Sequence, residues 1–148
     1  MDALLEMLQT MPEVAELVSR TENGGCPVVL TGTAPVQRAC IGAAVARATG
    51  RSAVFVCGDD REARQLAADL TELTGTQAVV LLGREWQLRP GAVSSREWER
   101  SRLAALYALS SGKAPVTVAT ADALMARTLP PELLRASTVT LTAGERLD

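Results

Sequence analysis

Short apolar runs alternate with longer amphipathic stretches along the chain, and this alternation carries most of the structural signal. Five runs rich in Val, Leu and Ala predict β-strands, at residues 27–31, 52–57, 77–82, 115–120 and 137–141. The apolar residues in these runs follow one another with little polar alternation. Such continuity is typical of parallel strands that helices cover on both faces.

The stretches between these runs predict helices, because their ends carry capping signals. Three pairs have the spacing of a capping box and precede an apolar periodic stretch: Thr10 with Glu13, Asp59 with Glu62, and Ser94 with Glu97. A further helix is expected over 35–49, and Gly50 is expected to end it. Two short helices are predicted near the end of the chain, one after Thr120 and one at Pro130-Pro131.

The order of these elements predicts an α/β domain with three layers, in which helices cover both faces of a mostly parallel sheet. This is the architecture of P-loop NTPases and RecA-like proteins, although a fold alone does not assign chemistry. The length of 148 residues suits one domain, which we place at residues 1–141. Residues 142–148 follow an apolar strand with no helix to complete the unit, so we expect them to begin a further domain of a longer protein.

The composition excludes several classes of function. The chain has no histidine, which removes the usual general base at neutral pH and the commonest zinc ligand, so histidine-based hydrolase triads are excluded. A formal net charge of −2 and an aromatic content of 3% argue against an autonomous nucleic-acid binder. The three cysteines form no C-x-x-C pair and are expected to be free thiols in a reducing compartment.

The start of the chain bears on its location. Met1-Asp2 carries an acid where a signal peptide has a basic region. No apolar run approaches the roughly 20 residues of a membrane span. We therefore expect a cytoplasmic protein without membrane contact.

The turn between the first predicted strand and the next helix is where a parallel α/β domain binds phosphate, because backbone N–H groups and the positive helix end converge there. When this turn is aligned with the pattern G-x-x-x-x-G-K-[ST], all four defining positions are replaced. The residues that stand there are Val29, Ala34, Pro35 and Val36. Pro35 supplies neither an ammonium group nor an N–H donor, and Val36 has no hydroxyl for Mg²⁺. We interpret the turn as a degenerate phosphate loop that does not support ATP hydrolysis. The residues of this loop are Thr31, Gly32, Thr33, Ala34, Pro35 and Val36.

No metal or cofactor site is evident in the sequence. An active P-loop enzyme needs acidic side chains directly after a core strand to hold Mg²⁺. Asp59 lies beyond a glycine and is interpreted as a helix cap. Asp122 follows its strand singly and favours the N-terminus of its own helix. For the turn at Gly32, a tight turn is the favoured interpretation and residual anion binding is the alternative.

A second unusual stretch, residues 84–102, combines five arginines with both tryptophans. Glu97 with Arg100 and Glu99 with Arg102 have the spacing of solvated ion pairs on a helix, and Trp98 is expected to anchor that helix to the sheet. The alternative is an interface with a partner, another domain or a DNA backbone, because Arg and Trp are favoured at interfaces. The candidate interface residues are Arg84, Trp86, Arg89, Arg96, Arg100 and Arg102.

Taken in order, these parts resemble the N-terminal region of bacterial transcription-repair coupling factors, which is itself similar to the first domain of the excinuclease subunit UvrB. The matching segments are PVVLTGTAPVQRACIGAAVARATG, AVFVCGDDREARQLAADL, SSREWERSRLAALYALSSGK, PVTVATADALMARTLPP and TVTLTAGERLD. The resemblance covers essentially the whole chain, and none of these segments is a catalytic signature.

The resemblance implies a UvrB-like module, at residues 1–141, that has lost ATPase function, and 142–148 as the start of the UvrA-binding domain. In that family hydrolysis belongs to a distant motor, and RNA polymerase and DNA bind through other domains. The expected partners are therefore other domains of the same protein, with UvrA bound through the following domain. The function implied is a non-catalytic scaffold in transcription-coupled nucleotide excision repair.

Two other interpretations stay open at this point. One is a small nucleotide-binding or NTPase domain, which the substituted loop argues against. The other is a stand-alone protein-interaction module that uses residues 84–102.

Overall fold

Three parallel strands form the sheet of this mixed α/β protein: β1 (Ala53–Cys57), β2 (Val79–Leu81) and β3 (Val116–Thr120). The computed structural model describes residues 2–25, 27–83, 96–139, 141, 143 and 144. The strand order is β1-β3-β2, with Val54 opposite Thr117 and Val79 opposite the same Thr117. β3 is central and all five of its residues are buried. The predicted strands 52–57, 77–82 and 115–120 are thereby confirmed, the second of them in a shorter form.

Seven helices surround this sheet within the described residues. Their bounds are α1 (Asp2–Gln9), α2 (Pro12–Glu22), α3 (Pro35–Thr49), α4 (Asp60–Thr74), α5 (Arg96–Ser110), α6 (Ala121–Met125) and α7 (Pro131–Ala136). The prediction of a helix at 35–49 is confirmed, and Gly50 ends it with a φ of +61°. Helix α1 was not predicted. It packs on α3, where Arg47 forms ion pairs with Asp2 and Glu6.

The first face of the sheet is covered by α1 to α4. Val116 and Val118 of β3 belong to this core, together with small residues of α3 and α4. The close approach of α3 depends on Gly42, because a Cβ there would collide with the Phe55 ring of β1. An Ala-rich and Gly-containing helix of this kind lies close to a sheet because it has little side-chain volume between the two backbones.

The second face is covered by α5 and α6 on the side of β2 and β3. Ala119 and Leu81 form a smaller core there with Ala105 of α5 and Ala123 of α6. Helix α7 packs against α5. Helices therefore lie on both faces of the sheet, as the strand pattern predicted. None of the described helices is both long and apolar enough to cross a membrane.

One predicted capping box is confirmed in part and another is wrong. The Asp59 carboxylate accepts a hydrogen bond of 2.8 Å from the Glu62 N–H at the start of α4. The Thr10 hydroxyl instead donates to the carbonyl oxygen of Met7, because α1 ends there and α2 begins after Met11 with Pro12 in its first turn. The expected box at Ser94 lies outside the described residues.

Two of the five predicted strands do not appear in the part of the chain that the structure describes. Residues 27–31 have no regular structure, and Val29 is 84% exposed. The described residues of the predicted strand 137–141 likewise pair with no other strand, and Val139 is 75% exposed. The physical reason is that a strand exists only by hydrogen bonding to a neighbour, which an apolar run alone does not supply. The expected domain boundary at 142 falls partly outside the described residues.

Candidate functional site

The carboxyl ends of the three strands meet at one edge of the sheet, which is where open α/β domains bind ligands. Gly58 follows β1, Gly83 lies two residues beyond β2, and Asp122 lies two residues beyond β3. Helix α3 starts at the same edge, since Arg38 in its first turns lies 4.0 Å from Glu62 of α4. The turn at residues 31–36 leads into this helix, although the strand expected before it is absent from the described residues.

The degenerate phosphate loop is largely exposed to solvent. Gly32 has a φ of +77°, which confirms that this position needs the conformational freedom of glycine. Thr33 is half-buried, whereas Thr31 and Val36 are exposed. The chain thus bends at Gly32 and leads into the N-terminus of α3.

At the start of α3, one backbone N–H group is missing and another already forms a hydrogen bond within the chain. Pro35 is at the first helical position and has no N–H to offer. The Ala34 N–H donates a hydrogen bond of 2.8 Å to Oε1 of Gln37. A side-chain amide oxygen therefore takes a donor at the place where a phosphate oxygen binds in an active loop.

Gln37 was missed in the sequence analysis, although a signal for it exists. It lies three residues after Ala34, the residue that precedes the helix, and Gln at this spacing is known to reach back to that backbone N–H. The pair does not match the capping-box pattern, because alanine cannot supply the other half of the box.

The acidic residues after β1 are engaged in the start of α4. Besides the bond from the Glu62 N–H to Asp59, Oε2 of Glu62 accepts from the Gly58 N–H at 3.2 Å. These bonds fix the turn that joins β1 to α4. The prediction that Asp59 is a helix cap is confirmed.

Asp122 lies against the backbone that follows β2. A Cβ added at Gly83 would collide with the Asp122 carboxylate. The Gly83 N–H also donates 3.1 Å to the hydroxyl of Thr120, which is fully buried. The Thr120 hydroxyl and the Asp122 carboxylate therefore contact the backbone just after β2, close to the carboxyl end of β3. Within the described ranges, no group of three or more His, Cys, Asp or Glu side chains is placed to hold a metal ion.

The thiol of Cys57 lies buried at the end of β1. Burial raises the pKa of the Cys57 thiol, and the carboxylates of Glu62 and Asp59 raise it further, whereas Arg38 lowers it. The thiol is therefore held in its neutral form, which is the less nucleophilic one. Cys57 is suited to packing and not to nucleophilic attack.

The Arg and Trp side chains described in α5 do not form one surface. Trp98 is half-buried, and its Nε1 donates 2.7 Å to the carbonyl oxygen of Gly83. Arg102 is only 8% exposed, lies 5.8 Å from the centre of the Trp98 ring, and donates to the carbonyl oxygens of Leu82 and Ala123. Arg102 is therefore not available as an interface residue, because its buried guanidinium group joins α5 to the segment after β2 and to α6.

The other candidate interface residues divide into two groups. Arg96 and Arg100 are exposed on α5. Arg84, Trp86 and Arg89 lie outside the described residues. The anchoring role expected for Trp98 agrees with its hydrogen bond to Gly83.

Comparisons with known proteins add no assignment. Neither the protein-family models, nor the curated proteins, nor the solved structures contain a match to this chain.

Proposed function

We propose that this chain is a non-catalytic scaffold domain of a transcription-coupled nucleotide excision repair factor, which positions an adjacent UvrA-binding domain. The observation that carries the proposal is the start of α3. Pro35 removes one N–H donor, and Gln37 occupies that of Ala34. An α/β domain whose phosphate-binding turn is closed in this way is suited to a structural role.

The substituted loop and the placement of the acids support the same role. Val29, Ala34, Pro35 and Val36 stand where an active loop has its glycines, lysine and hydroxyl. Asp59, the first acid after β1, is a helix cap. The resemblance to transcription-repair coupling factors supplies the repair context and the expected partner, UvrA.

The test has two measurements. Titration calorimetry with ATP and Mg²⁺ is expected to give no binding heat, because the donors that hold phosphate in an active loop are missing or occupied. UvrA is expected to be captured by a chain extended beyond Asp148 by its own reading frame and not by residues 1–148 alone. ATP turnover by residues 1–148, or a tight complex of these residues with UvrA, contradicts the proposal.

A further inference from the structure

We draw no further inference here: the strongest candidate, the open edge and second face of β1 with the exposed side chains of Val54 and Val56, carries nothing, because nothing in the part of the chain that the structure describes shows what covers it.

Discussion

The indole Nε1 of Trp98 donates a hydrogen bond of 2.7 Å to the carbonyl oxygen of Gly83. This bond joins α5 to the backbone just after β2. Arg102, one turn further along α5, lies over the same indole ring and reaches the Leu82 carbonyl oxygen. One tryptophan and one arginine thus fix the helix that covers the second face of the sheet.

Replacing this tryptophan is expected to weaken the whole domain. Trp98→Ala removes a half-buried ring and a hydrogen bond, and we expect it to lower the free energy of unfolding by about 2–4 kcal/mol. Trp98→Phe keeps most of the ring and is expected to cost about 1 kcal/mol, the value of the hydrogen bond. Urea denaturation of the three proteins measures this. An unchanged midpoint for Trp98→Ala makes the side chain a surface group and favours an interface role.

The contact between Gly83 and Asp122 predicts a steric penalty. Gly83→Ala places a methyl group against the Asp122 carboxylate, and we expect a loss of about 1–3 kcal/mol in the free energy of unfolding. Gly58→Ala is the matched control, because a Cβ there meets only Oε2 of Glu62, at 3.9 Å. Thermal unfolding is the measurement. Adding Asp122→Ala to Gly83→Ala should recover stability, and a failure to do so refutes this explanation.

Two buried threonines of β3 predict changes of opposite sign. The Thr117 hydroxyl has no hydrogen-bond partner within the described residues, so Thr117→Val is expected to raise the free energy of unfolding by about 1 kcal/mol. Thr120→Val removes the acceptor of the Gly83 N–H and is expected to lower it by about 1–2 kcal/mol. Chemical denaturation of both variants gives the comparison. Equal effects at the two positions are incompatible with this assignment of the hydrogen bonds.

The raised pKa of Cys57 predicts a loss of stability at alkaline pH. In the unfolded chain the thiol titrates at roughly pH 8.5, whereas the folded protein holds it neutral to higher pH. As the pH rises through the thiol range the unfolded chain loses its proton first, so the free energy of unfolding falls. The decline between roughly pH 8 and 10 should be smaller in Cys57→Ala than in Cys40→Ala. Equal slopes for the two variants count against a raised pKa.

Rebuilding the degenerate phosphate loop tests whether the four substitutions alone account for the expected lack of ATP binding and hydrolysis. A variant with Val29→Gly, Ala34→Gly, Pro35→Lys and Val36→Thr restores an ammonium group, the N–H at position 35 and a hydroxyl, and weak nucleotide binding is expected. Turnover is not expected, because phosphoryl transfer also depends on a positioned metal ion and water. Phosphate release with saturating ATP and Mg²⁺ is compared with a blank. Sustained release would point to an acidic pair that the interpretation of Asp59 and Asp122 overlooked.

The sequence predicted the parts of the fold that depend on local patterns. The strand at 115–120 and the cap at Asp59 follow from runs and spacings that lie within a few residues. The burial of Arg102 was beyond such reasoning, because two carbonyl acceptors and an aromatic ring meet it only in the tertiary structure. Residues 27–31 show the same limit, because an apolar run becomes a strand only where a neighbour offers its backbone groups.

Through the hydrogen bond from the Ala34 N–H to Gln37, a side chain of this segment competes with any anion for the same donor. Because the carboxamide is tethered three residues away, its effective concentration at the donor is on the order of millimolar or above. A free anion must displace this internal ligand without the help of a lysine ammonium group. Under the proposed function, occupancy by Gln37 adds to the effect of the substitutions, and anion binding by Gln37→Ala would measure how much each contributes.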